Sequence, residues 1–197
     1  MSHPKENPAW SRAAFFILAA LLVLSTAAFA QPVGGERFTA NLVDPAGHFG
    51  RVRGSNTAQI LIHIDHYSED AETQRLAGIL QQKGPDALRD ALWDKEVGYI
   101  RVGGGLGYPI AVARSHPAPD GGRIIRLMMD RQLSQREVIN NSRTVDYPFT
   151  FIEIKVDRNG KGEGQFYQAA KVRLSGDKFE VENYSPQPLR LLAVKAE

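Results

Sequence analysis

Phe149-Thr150-Phe151-Ile152-Glu153-Ile154-Lys155-Val156-Asp157, followed by Arg158-Asn159-Gly160-Lys161, is the stretch that decides the fold. Ile152, Ile154 and Val156 alternate with Phe151, Glu153 and Lys155, the period-two pattern of a strand with one buried face. Asn159-Gly160 supplies the positive φ that a tight hairpin turn needs. The chain must therefore double back, and residues 164–174 are the expected antiparallel partner. Gly176-Asp177 turns it again into residues 179–184. Pro186 and Pro188 then precede a last strand over residues 189–195.

The same β pattern extends toward the N-terminus. Strands are expected over residues 37–43, 57–67, 97–102, 108–115 and 123–130, with Ile60, Ile62 and Ile64 alternating in the second. Gly103-Gly104-Gly105 breaks one pair, and Pro117-Ala118-Pro119-Asp120-Gly121-Gly122 turns the next. Ser68, followed by Glu69 and Asp70, reads as the cap and acidic first turn of a helix. Leu76, Ile79, Leu80 and Lys83 continue it, Gly84 stops it, and Pro85 opens a second short helix carrying Leu88 and Leu92. Ser134 and Glu137 form a capping box for one more short helix through Ile139. The expected class is α+β, mainly antiparallel β: a curved sheet or partly closed barrel with a short helical pair packed against it.

The first thirty residues differ from the rest. Lys5 and Arg12 precede the apolar run 13–24, and Ala28-Phe29-Ala30 ends the segment in a small-x-small pattern. This is the form of a secretory signal peptide cut between Ala30 and Gln31. The division expected is a signal peptide at 1–30 and a single globular domain at 31–197, in a periplasmic or secreted protein. The alternative is a retained N-terminal membrane anchor, for which the stretch 13–30 lies at the short limit of a span. No second stretch is apolar enough to span once the signal is removed.

The composition excludes several classes. There is no cysteine, hence no disulfide framework, thiolate metal site or cysteine nucleophile. The formal charge is +2, with both signs interspersed, so nothing attracts nucleic acid or an anionic membrane surface. No complete cofactor motif is present, and none of the serines lies in G-x-S-x-G or S-x-x-K. The sequence specifies neither a partner nor an oligomeric state.

Two segments are candidates for chemistry. In His63-Ile64-Asp65-His66, a strand would place His63 and Asp65 on one face, and an imidazole and a carboxylate so placed can share a metal ion. His116 is the candidate third ligand, and a metal-assisted hydrolase is the activity such a site would support. The plain reading is a strand with polar groups on its solvent face. In the run from Asn140 to Phe149, Arg143, Asp146 and Tyr147 are candidate ligand contacts at a sheet edge. A connection ordered by its own hydrogen bonds is the plain reading there. Asp157–Glu163 and Gly103–Gly107 are read as turns and not as calcium or phosphate loops. The aromatics Tyr67, Tyr99, Tyr108, Phe149, Phe151, Phe166, Tyr167 and Phe179 suit either a packed core or the lining of a cavity in a barrel.

Three runs carry a resemblance: Pro119 through Ile125, Arg143 through Asp157, and Asn159 through Gly164 leading to Ala169-Ala170-Lys171. Together they resemble a group of uncharacterised exported bacterial proteins. The resemblance covers the second half of the chain and implies export, with no activity, cofactor or site residue attached. The function expected is a non-enzymatic exported protein that binds something or has a structural role. The metal-assisted hydrolase and a carrier for a small apolar ligand are the alternatives.

Overall fold

A computed structural model of the chain describes residues 35–47, 56–133, 146–175, 178–184 and 187–197. The signal segment 1–30, Arg143, the Gly176-Asp177 turn and the short helix expected from Ser134 lie outside the described residues. Ten strands make one antiparallel sheet: β1 (Glu36–Val43), β2 (Thr57–Ile64), β3 (Gly98–Val102), β4 (Tyr108–Ile110), β5 (Val112–Pro117), β6 (Arg123–Met129), β7 (Phe149–Val156), β8 (Lys161–Ser175), β9 (Lys178–Asn183) and β10 (Leu189–Ala196). One helical element, α1 (Asp70–Leu92), separates β2 from β3.

The sheet path runs β4-β3-β2-β1-β10-β8-β7-β6-β5, with β9 added beside β8. Its two ends, β4 and β5, are separated in the chain only by Ala111. One run of backbone therefore pairs with β3 on one side and β6 on the other, and the sheet curls into a nearly closed barrel. Counting β4 and β5 as one stave and leaving β9 aside reduces the ten strands to eight staves. A barrel of that size has an interior that side chains fill.

They fill it here. Leu127, Ile152, Phe166 and Leu189 are successive cross-strand partners in one row around the wall. Each of the four is at most 5% exposed. With Phe38, Leu42, Ile62, Ile100, Ile125 and Ile154 they belong to a single apolar cluster. Backbones press close where the wall bends: a Cβ at Gly162 would run into the Lys155 carbonyl oxygen. Above this core, Tyr67 donates a hydrogen bond to Glu36 Oε2 at 2.6 Å, and Arg123 Nη1 donates to Glu36 Oε1 at 2.9 Å. Glu36 on β1 and Arg123 on β6 thus meet across one end of the barrel. Burial, together with the Glu36 carboxylate, pushes the Tyr67 phenol far above its usual range, so it stays a donor.

Several expectations are refined by this arrangement. The passage between β2 and β3, which by its length could have been a parallel crossover or a pair of helices laid over the sheet, joins two antiparallel neighbours. The two expected helices are one element interrupted at Gly84, whose φ of 84° and ψ of −176° only glycine adopts readily. Ser68 is not the cap. Glu69 holds that position, without a side-chain cap. Ser68 instead joins β5: its N–H donates to the Ala113 carbonyl at 2.8 Å, and its Oγ accepts from the Ala113 N–H at 3.2 Å. A buried hydroxyl takes the partner that water cannot reach, and here that partner is a strand edge. The Asn159-Gly160 turn is a hairpin, with Gly160 at φ 73° and Asp157 Oδ1 accepting from the N–H groups of Asn159 and Lys161.

Candidate functional site

α1 lies against the outside of the barrel. Leu76, Leu80, Leu88 and Leu92 face Met128, Phe149, Phe151, Ala170 and Val172 in a second apolar cluster, distinct from the barrel interior. The spacing explains this within each half: Leu76 and Leu80 before Gly84, and Leu88 and Leu92 after it, are four apart and share a helical face. On β6 and β7 the outward positions carry Met128 and Phe151, which are direct cross-strand partners. Ordinary strands present polar groups to solvent on their outer face. These present apolar ones, and they need a cover.

The cover is incomplete. Between α1 and the sheet remains a groove of about 280 Å³, lined by Leu76, Leu80, Leu92, Met128, Phe151 and Phe179 among others. Phe179 on β9 is 41% exposed at its edge. Among the described residues the groove's ionisable lining residues are Arg114, His116 and Arg126. Arg114 and His116 also line a broader depression of about 570 Å³ beside the start of α1. The basic residues therefore stand where the apolar groove meets solvent.

Their positions follow from the β5–β6 hairpin. Its register sets Val112 opposite Met128, Arg114 opposite Arg126 and His116 opposite Ile124. The outward face thus changes from apolar to basic along both strands at the same level. Arg114 donates to the Ser68 carbonyl oxygen from Nη1 at 2.6 Å and pairs through Nη2 with Asp70. Arg126 Nε donates to Glu153 Oε2 at 2.7 Å. Burial first, then the Arg126 and Arg114 charges, lower the His116 pKa below its ordinary value, so the imidazole is neutral at pH 7.

Of the residues proposed from the sequence, His63 and Asp65 come together and the other described ones are dispersed. His63 Nε2 lies 3.1 Å from Asp65 Oδ1 on the outer face of β2, with the His63 ring 5.1 Å from that of Tyr99. His63 Nδ1 is buried without a hydrogen-bond partner among the described residues. His116 is in the groove wall. Among the described residues no three His, Cys, Asp or Glu side chains come together as a metal site. Asp146 is exposed in a turn. The Tyr147 hydroxyl donates to Glu182, and its carbonyl oxygen accepts from Gln132 Nε2. Its ring meets Tyr184 edge-on at 5.4 Å. These contacts anchor the start of β7 to the β8–β9 extension, and neither Asp146 nor Tyr147 lines the groove.

Sequence reasoning missed Arg114 and Arg126. The signal available was the outward triplet Val112, Arg114, His116 across a hairpin from Arg126 and Met128. Like charges directly opposite one another destabilise a sheet, so such a pair asks for an explanation. Set against known proteins, the chain matches no family model, no curated protein and no solved structure.

Proposed function

We propose that this chain is an exported, non-enzymatic binding protein that carries a small apolar molecule in the groove between α1 and the outer face of β5–β7. The observation that carries the binding reading is the groove itself: an apolar hollow of about 280 Å³, just below the usual size range of small-molecule sites, with its few polar groups gathered at one end. The barrel interior is occupied by its own side chains, which moves the carrier reading from inside the barrel to its flank. Export rests on the charged start, short apolar run and Ala28-Phe29-Ala30 of the first thirty residues.

Octan-1-ol tests the binding reading, because it is apolar, uncharged and small enough for the groove. A ligand that binds only the folded chain raises its melting temperature with concentration. The expected result is a saturable rise for the native chain and none for Ala77→Phe, which grows a ring into the groove from a half-buried position on α1. Equal rises in both proteins would refute the site. For export, the intact mass of protein recovered outside the cytoplasm should correspond to a chain beginning at Gln31. Full-length protein retained in the cytoplasm would refute that part.

A further inference from the structure

The binding reading leaves the ligand's head group unspecified, and the basic end of the groove bears on it. Among the described residues three ionisable side chains line the groove, all of them basic. Arg114 and Arg126 face each other directly across β5 and β6. Each has its own carboxylate partner on a different element, Asp70 at the start of α1 for Arg114 and Glu153 on β7 for Arg126. Arg126 uses only Nε on Glu153, and among the described residues its Nη groups have no bonded acceptor. A planar fork with free N–H donors matches a carboxylate and not a hydroxyl or an ammonium.

The groove's size limits the tail. At about 280 Å³ it lies just below the usual small-molecule range, which suits a tail of medium length. Its walls are mainly leucine, methionine and phenylalanine, and Thr73 is the one uncharged polar side chain among the described lining residues.

We infer that the ligand is a single-chain aliphatic carboxylate of medium length, with its carboxylate between Arg114 and Arg126 and its chain running under α1 among Leu80, Leu92, Met128 and Phe151. The inference rests on the groove being the binding site. His116 extends the same pole: beside a bound carboxylate it becomes easier to protonate and adds a third donor.

The experiment is isothermal titration of the purified chain with octanoate, octan-1-ol and octylamine at neutral pH and low salt. The tails match and only the head groups differ. A charge-assisted contact makes octanoate bind about tenfold to hundredfold more tightly than octan-1-ol, and octylamine more weakly than either. Arg126→Gln should abolish octanoate's advantage and leave octan-1-ol unchanged, and Arg126→Lys should restore part of it. If octanoate and octan-1-ol bind native protein equally well, the groove stands and the carboxylate inference is overturned. If none of the three binds, or if Ala77→Phe binds all three as the native chain does, the groove reading falls as well. A dimer in sedimentation that releases no monomer on adding octanoate would make the groove an interface between copies, and would overturn both.

Discussion

Phe166→Ala tests whether the barrel is packed, on which the location of the site depends. Phe166 is 1% exposed and lies in the interior row with Ile152 on one side and Leu189 on the other. Removing a ring from a filled interior loses its transfer free energy and leaves a cavity, about 3–5 kcal/mol together. With a urea dependence of about 2 kcal/mol per molar, the unfolding midpoint should fall by about 1.5–2.5 M. Phe179→Ala is the matched control. That ring is 41% exposed at the groove edge, so its removal loses only partial burial and encloses no void, about 1–1.5 kcal/mol. The assay is urea denaturation of native and variant proteins followed by circular dichroism. A Phe166→Ala cost no larger than that of Phe179→Ala would mean that the interior is not packed, and the ligand would belong inside the barrel after all.

Glu72 is held down to about 2 by hydrogen bonds from Arg75 and then Lys95. A depressed folded value stabilises above the unfolded pKa, and that stability is lost as pH falls from about 4.5 toward 2. Glu72→Gln should therefore show a shallower loss of stability across that range, by under about 1 kcal/mol because the ion pairs are partly exposed and screened, read from melting temperatures at successive pH values. His116 has the opposite chemistry. Burial, Arg126 and Arg114 lower its folded value against the opposing pull of Asp70, so protonation of the unfolded chain draws stability away as pH falls below 6.5. His116→Asn should remove that loss, read from unfolding midpoints at successive pH values. At Gly84, both Ala and Asn should cost about 1–3 kcal/mol, since φ 84° with ψ −176° suits neither. Gly78→Ala should do the reverse and gain about 0.5–1 kcal/mol in thermal unfolding, because its Cβ would meet only Gln82 Nε2 at 3.9 Å inside a helix.

The strands were legible because local chemistry specifies them. The alternation of Ile152, Ile154 and Val156 and the Asn159-Gly160 turn placed β7 and the start of β8 within a few residues of their true limits. Gly84 and Pro85 showed where α1 breaks. Ser68 was misread because a hydroxyl before two acidic residues has the local form of a cap, while its real partner, Ala113, is 45 residues away. The same distance problem hid the site. His63 and Asp65 attracted notice because they are adjacent in sequence, whereas Arg114 and Arg126 meet only through a hairpin register and act only against a helix laid down before either strand.

Ala111 shows why even a correct strand assignment stops short of that site. From Ile110, which points into the barrel core, strict alternation would carry Val112, Arg114 and His116 inward as well. The Arg114 guanidinium and the His116 imidazole would then face a dry apolar interior, at a cost no neighbour there could offset. Instead Ala111 is an extra outward residue: it belongs to the cluster under α1, its N–H donates to the Met128 carbonyl at 2.9 Å, and the next inward residue is Ala113. β8 makes the same change between Phe166, inside the barrel, and Ala170, beneath the helix, where its register against β7 slips. Each irregularity exchanges the faces of a strand partway along it. The first turns Arg114 and His116 outward, and the second carries β8 out of the barrel to meet β9 and Phe179. The apolar wall and the basic mouth of the groove therefore depend on one pair of register changes, and these change pairing partners without interrupting the strand pattern in the sequence.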